Sequence, residues 1–415
     1  MKLVILNRYF HPDESATSRM ASSLGFGLAE RGWEVHAVSS RQLLGEPQAN
    51  LLRRERIDGV TLHRIWTTSF GRRNILGRAM DYLTYYISVF FWIFWFTRRG
   101  DVLIVATDPP LLSVLASVAT TLTGATRVNW LHDLYPEVAS ALGISIPRAG
   151  YRLLQWLRDF SLIGATMNVA IGDRMAVYVR GRGVPTDRLA TVHNWSDGLS
   201  IRPLQSRANP IRKQWGLTDR FVIGYSGNLG RGHEFETILR AAEALKDKSD
   251  IVFLFIGAGH HLSLIEERAR ALDLSNVITR PYQPPSRLME SLSVADLHLV
   301  SLRPELEGLM VPCKFFGIAA AGRPTVYIGD VDGEIPSILN AADCGRAIPV
   351  GDVDGLVGYI TQLRQSPKQA DRWGSNARDV FMRRFDRRHA IEQWNVILNG
   401  VVGHPVGVSA DIPAT

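Results

Sequence analysis

Short apolar runs rich in Val and Ile alternate with longer amphipathic stretches along almost the whole chain. In the first half the runs are KLVILN, EVHAVSS, DVLIVAT, TRVNWLH and TMNVAI, and a helical stretch from about Ser18 to Arg31 separates the first two. Such alternation predicts a parallel sheet with helices on both faces. The series closes at LATVHNWSDG, where Asn194, Asp197 and Gly198 break the pattern, and IRPLQSRANP reads as a linker. A second series follows: FVIGYSGN, IVFLFIGAG, NVITRPY, ADLHLVSL, TVYIGD and GRAIPV. A long helix at about 367–399 and a loose tail at 401–415 complete the pattern. At 415 residues the chain exceeds one ordinary core. The expected fold is therefore α/β, with two doubly wound Rossmann-like domains facing a cleft. Their expected extents are 1–197 and 198–375, with a helix at 376–400 packing back toward the first domain. A ligand is expected between the strand carboxyl ends.

One segment departs from this rhythm. MDYLTYYISVFFWIFWFT, residues 80–97, is the most hydrophobic stretch, and Tyr82 to Thr97 carries no charge. As a helix this uncharged run reaches only about 24 Å, short of the roughly 30 Å hydrocarbon core, so a single span is not expected. Two readings stay open: a buried helix of the first domain, or a helix partly immersed in one leaflet. Arg72, Arg73, Arg78, Arg98 and Arg99 flank it as they would on an anionic membrane.

Composition changes the picture only modestly. The chain is 46% hydrophobic and 21% charged, as folded proteins are, with net charge +7. Arg clusters occur at 52–56, 71–78, 98–99 and 383–388 without a nucleic-acid-binding signature, so an anionic lipid surface or a nucleotide is the expected partner rather than nucleic acid. Cys313 and Cys344 are too few for a disulfide framework, and MKLVILNRYF reads as a strand rather than a signal peptide. A cytoplasmic location is expected.

Residues 307–329, EGLMVPCKFFGIAAAGRPTVYIG, carry the most specific chemistry. A turn at Gly308 leads through Pro312 into a short helix with Lys314 in its first turn, and Ala-Ala-Gly-Arg-Pro ends that helix before a strand. Free N–H groups and one ammonium then converge on a point in the cleft where a diphosphate fits. Gly227-Asn228-Leu229-Gly230 follows a strand and precedes a helix, so its glycines let backbone approach a phosphate, with Arg231 and His233 just beyond. His132 and Asp133 end a strand at its carboxyl edge and should face the cleft.

Taken together, YFHPDESATSRMASSLGFGLAERGWEVHAVSS, NWLHDLYPE, YSGNLGRGHEFETILRAAEAL and VPCKFFGIAAAGRPTVYIGDVDGEI resemble the retaining glycosyltransferases of GT-B fold and family 4 type that build bacterial surface polysaccharides. The subgroup it resembles is the colanic-acid and O-antigen type, whose Pro-Ser-Lys-Phe-like turn corresponds to Pro312-Cys313-Lys314-Phe315. The resemblance implies a UDP- or GDP-sugar donor, a polyprenyl-diphosphate-linked saccharide acceptor and work at the inner membrane face. It implies no cofactor and no metal.

The resemblance also assigns roles. His132 matches the position that touches the transferred sugar. Ser15-Ala16-Thr17 stands where the family has a glycine-rich turn for phosphate or acceptor. Asn228 and His233 stand where the family has Arg and Lys. The family's two glutamates are missing, since their positions hold Leu309 and Gly317; Glu307 is the nearest substitute for donor hydroxyls, and Glu334 or backbone is left for the ribose. The base is expected near Gly257–Gly259 and Arg280–Gln283, including Tyr282 and Gln283.

Rival readings are a sugar-nucleotide 2-epimerase of the same fold, an inactive scaffold subunit, and a metal enzyme using the Asp-x-Asp of either GDVDG segment (329–333, 351–355).

Overall fold

The computed structural model describes residues 1–71, 75–205 and 208–403. Among them the apolar runs form two separate sheets. The first contains β1 (Leu3–Leu6), β2 (Val35–Ser40), β3 (Arg54–Ile57), β4 (Val60–Ile65), β5 (Val102–Val105), β6 (Thr126–Leu131), β7 (Met167–Ala170) and β8 (Leu189–Thr191). The second contains β9 (Phe221–Ser226), β10 (Ile251–Ile256), β11 (Val277–Arg280), β12 (Leu297–Ser301), β13 (Thr325–Ile328) and β14 (Gly345–Ile348). Strand orders are β3-β4-β2-β1-β5-β6-β7-β8 and β11-β10-β9-β12-β13-β14. Every pairing is parallel except β3 with β4.

The helices of the first half are α1 (Ala16–Glu30), α2 (Ile75–Phe96), α3 (Leu112–Thr123), α4 (Glu137–Ala141), α5 (Arg148–Ile163) and α6 (Asp173–Gly181). Those of the second half are α7 (Pro210–Gln214), α8 (Glu236–Ala244), α9 (Leu262–Ala271), α10 (Leu288–Ser293), α11 (Lys314–Ala320), α12 (Glu334–Ala342), α13 (Val353–Gln365), α14 (Pro367–Val380) and α15 (Arg387–Val402). Two doubly wound α/β units result, as the alternation implies. Strand order reverses between β1 and β5 in one sheet and between β9 and β12 in the other. Those are the crevices where open parallel sheets bind ligands.

Two features differ from the sequence reading. The first sheet has eight strands rather than five. Its extra hairpin β3–β4 turns at Asp58 and Gly59, whose φ values of +46° and +81° make it a primed, Asp-Gly turn. The LRRER arginine cluster is partly that edge strand, whose exposed charges discourage pairing with another chain. The long C-terminal helix is broken. A π-helical turn at Phe381–Phe385 and an extended Asp386 (φ −67°, ψ 142°) separate α14 from α15, and the Asp386 carboxylate caps α15 by accepting from Arg388 N–H. Arg72, Arg73 and most of the proposed tail lie outside the described residues.

That break lets the chain cross back to the first sheet. The two crossings lie side by side: Ser196 N–H donates to Phe385 O at 3.3 Å, and Arg387 N–H donates to Ser196 O at 2.9 Å. α15 then lies on α1, where Arg31 pairs with Glu392 and Trp33 donates to Asn395. One buried apolar cluster runs through both units, from Leu3 and Ile5 by Trp130 and Trp195 to Phe315, Phe385 and Trp394.

Gly27 makes the α1–α15 contact close, because a Cβ there would lie 2.8 Å from two carbons of Ile391. Gly27→Ala is therefore expected to cost about 1–3 kcal/mol through overpacking. Adding Ile391→Ala should give a double variant that loses less than the sum of the singles. Denaturation midpoints of the four proteins measure this.

Candidate active site

The second crevice is built on Gly227, directly after β9, and on the N-terminus of α11. Backbones crowd here: a Cβ on Gly257 (φ +146°) would fall 2.0 Å from Gly227 O, and one on Gly259 (φ +150°) 2.6 Å from Leu229 O. Only glycine permits that approach. Pro312 is buried and aims α11 so that Lys314 reaches across Gly227, its Cε 3.1 Å from where a Cβ would stand. The Lys314 ammonium donates to His233 Nε2 at 2.7 Å and lies 5.2 Å from the Tyr225 ring centroid.

His233 fixes its own tautomer. Its Nδ1–H donates to the Ser301 carbonyl at 2.5 Å, so Nε2 presents a lone pair to the lysine. Burial and then Lys314 lower the His233 pKa to about 3, keeping the ring neutral. Burial likewise lowers Lys314 to about 8. The cation is thus held by a neutral acceptor, and no carboxylate pairs with it among the described residues.

Other sequence candidates line the same rim. Asn228 and Arg231 are exposed, and Gly230 closes the loop. Tyr282 is exposed with its hydroxyl 3.5 Å from Ala258 O, and Gln283 donates to Pro281 O. Glu307 does something different: its oxygens accept from Glu334 N–H (2.8 Å) and from the Tyr327 hydroxyl (3.2 Å), so it braces the start of α12. Glu334 is also engaged, accepting from Arg174 N–H at 2.8 Å and contacting His193 Nε2 at 2.9 Å. Those two bonds reach into the first unit and latch it to the second. Both carboxylates are thus engaged in bracing the two units, Glu307 at the start of α12 and Glu334 across to the first unit.

Across the cleft, β6 ends at His132 and Asp133. Both backbone N–H groups donate to Thr107 Oγ1, at 3.3 and 3.2 Å. His132 is buried against Trp130, with ring centroids 4.4 Å apart, and its Nε2 has no partner. Burial lowers its pKa to about 4, so it is a neutral hydrogen-bonding group. Burial and then Asp108 raise Asp133 to about 6. Ser15, rather than Thr17, occupies the cap position of α1, and its buried Oγ is unpartnered; Ala16 is exposed, and Thr17 Oγ1 lies 3.5 Å from Asp108.

For metal binding, Asp173, His193 and Glu334 bring ligand atoms within 4.8 Å of one another, but both Glu334 oxygens serve the latch. In the Asp-x-Asp segments, Asp330 accepts from Asp332 N–H and Asp352 caps α13 through Gly355 N–H. These are turn and cap roles.

Known proteins match the same halves. Residues 15–195 match the glycosyl transferase 4-like domain, and residues 208–380 match glycosyl transferases group 1. The chain belongs to the group 1 glycosyltransferases. Its relatives include a probable glycosyltransferase, WbjE, of Pseudomonas aeruginosa, 26% identical over 64% of this chain and 66% of that one. Another is the putative colanic acid biosynthesis glycosyl transferase WcaI of Escherichia coli K12, 23% identical over 95% of this chain and 98% of that one. Among solved structures, sucrose-phosphate synthase of Thermosynechococcus elongatus superposes with TM-score 0.77 at 13% identity, covering 97% of this chain and 100% of that one. WaaG, a lipopolysaccharide glycosyltransferase, and Anabaena HepE with UDP-glucose each give 0.71 at 14% identity, covering 96% and 100%. The two-domain GT-B fold is thereby shown.

Within this glycosyltransferase the sequence reading missed the Lys314–His233 bond and the His193–Glu334–Arg174 latch. The first was partly visible, since His233 stands where the family has a cation. The second joins residues 141 and 160 apart in sequence and left no local signal.

Lys314 gives a pH test. Below its pKa of about 8 the ammonium is charged; as pH rises through that value the free protein loses the proton, whereas a bound diphosphate retains it. UDP affinity by calorimetry is expected to hold near neutrality and to fall by up to about tenfold per pH unit above about pH 8. Lys314→Arg, whose guanidinium stays charged, should flatten that decline.

Proposed function

We propose that the protein moves a sugar, with retention of configuration, from a nucleotide-diphosphate donor to a lipid-linked saccharide in assembly of bacterial surface polysaccharide. The observation that carries this reading is the Lys314 ammonium, held beside a close-packed glycine loop by the neutral His233. A departing nucleotide diphosphate gains negative charge as the sugar–phosphate bond breaks. A desolvated, preoriented cation stabilises that charge more than it stabilises the intact donor. The N–H groups around Gly227–Gly230 and the exposed Arg231 add to it, and Tyr282 and Gln283 border the base. UDP is the nucleotide favoured, since HepE has been seen with UDP-glucose; WcaI's association with colanic acid supports the polysaccharide. The buried, unpartnered Nε2 of His132 supplies a hydrogen bond to a sugar hydroxyl, and Asp133 stands beside it. In this reading the leaving phosphate takes the acceptor's proton, and no metal takes part.

The lipid side rests on α2. No helix among the described residues is long and apolar enough to cross a membrane. Tyr85, Val89, Trp92 and Ile93 bury one stripe of α2, while Leu76, Met80, Leu83, Ile87, Phe91, Phe94, Trp95 and Phe96 are exposed. No exposed position of α2 is charged. The face continues over α3 (Val118, Leu122) and α5 (Trp156, Phe160), with Arg98, Arg99, Arg148 and Arg152 exposed around it. This is the pattern of a helix lying in an anionic interface.

Lys314→Ala is expected to lower kcat by about 10²–10³, with the fold intact by circular dichroism, and excess chelator should leave wild-type turnover unchanged. Near-normal turnover in that variant overturns the assignment. In flotation with vesicles containing phosphatidylglycerol, Ile87→Glu with Phe91→Glu should remain in the soluble fraction while wild type floats. Added salt should weaken wild-type flotation.

A further inference from the structure

The first sheet has a crevice of its own. Its strand order reverses between β1 and β5, and Asn7 and Arg8 follow β1 directly. Arg8 is 2% exposed, and its Nε and Nη1 lack any partner among the described residues. Its nearest carboxylate is Asp81, 3.6 Å from Nη2 and beyond hydrogen-bond length. Asp81 is itself engaged elsewhere, accepting from the Thr68 hydroxyl (2.7 Å), Phe70 N–H (3.0 Å) and Gly71 N–H (2.9 Å). Arg8 forms a buried ion pair with Asp81 and is also held by rings, its guanidinium carbon 4.8 Å from the Tyr82 centroid and 5.2 Å from that of Tyr9. Burying donors without acceptors is costly unless a ligand supplies them.

The same end of the sheet holds other unsatisfied atoms: Asn7 Oδ1, Ser15 Oγ at the α1 cap and His132 Nε2. Arg8 N–H donates to Asp108 O, and His132 N–H reaches Thr107 Oγ1, so both border the β5 end. A forked cation whose Nε–H and Nη1–H are free among the described residues suits an oxyanion. The distance to lipid decides which one. Tyr82, stacked on Arg8, neighbours Leu83 on the exposed apolar face of the same helix. A group held by Arg8 therefore lies about one helix diameter, about 10–12 Å, from that face.

We propose that Arg8 binds the diphosphate of the lipid-linked acceptor. This deepens the reading above and rests on it, since it assigns the acceptor's anion to the first unit and the donor's to Lys314 in the second. The guanidinium donates Nε–H and Nη1–H to phosphoryl oxygens, Tyr82 holds its plane, and the prenyl chain runs out along α2.

The test uses full-length protein with farnesyl diphosphate, farnesol and UDP as separate probes. Wild type is expected to bind farnesyl diphosphate but not farnesol. Arg8→Gln should weaken farnesyl diphosphate about ten- to a hundredfold while keeping the melting shift given by UDP. Lys314→Ala should do the reverse. Should Arg8→Gln not fold, Arg8→Lys replaces it: charge without the fork should weaken farnesyl diphosphate a few-fold and spare UDP. Unchanged farnesyl diphosphate binding in a folded Arg8 variant overturns the proposal, as does its loss in Lys314→Ala alone or its absence in wild type. Absence of any UDP effect in wild type would instead refute the donor reading.

Discussion

A partly buried lysine whose ammonium is held by a neutral partner is the interaction on which the active-site reading depends. Lys314 could have been stabilised more simply by a carboxylate, but a carboxylate would compete with the leaving diphosphate for the same charge. His233 avoids this, because its Nδ1–H is taken by the Ser301 carbonyl and its Nε2 can only accept. The arrangement keeps the lysine oriented while leaving its charge unneutralised. Burial lowers the Lys314 pKa to about 8, and an arriving phosphate would restore full protonation.

That cation is useful only if the second crevice faces the first. Two contacts see to it. The paired crossings at Ser196 and Asp386 join the units on one side, and the Glu334 carboxylate, accepting from Arg174 N–H and contacting His193, joins them near the cleft. Leu134 N–H also donates to Leu309 O, so the loop after β6 is tied to the loop before α11. His132 and Lys314 are therefore carried on loops joined by backbone, and their relation does not depend on long side chains. The acids that the family resemblance led one to seek at 309 and 317 are absent, and Glu307 and Glu334 act as braces and latch instead.

Much of this was legible in the chain. Val- and Ile-rich runs alternating with helical stretches are enough to imply two parallel sheets, because buried strands have few other sequence solutions. Lys314 was legible because Pro312 and Gly322 bracket its helix, and the glycines at 227 and 257 because backbones there approach more closely than any Cβ allows. The β3–β4 hairpin was missed although Asp58-Gly59 announces it; its charged edge read as an arginine cluster. The break at Asp386 was missed because helical periodicity continues on both sides of it. Arg8 was not visible at all. Its meaning lies in the Nε and Nη1 donors that its ion pair with Asp81 leaves without acceptors among the described residues, and that appears only in the folded chain.

The segment at 80–97 left two readings open, and the geometry of α2 gives each a face. Its inner stripe covers the first sheet and its outer stripe is bare and uncharged, so one helix is both core and surface. At Tyr82 the inner side turns to the crevice and meets Arg8. A lipid-linked substrate has this same polarity along its length, with an apolar chain, an anion and then sugars. α2 offers an apolar face, a ring stacked on a guanidinium, and then the β6 end with His132, in the corresponding order. Under the proposed reading, the inner stripe of α2 serves the core and the outer stripe the acceptor's apolar chain.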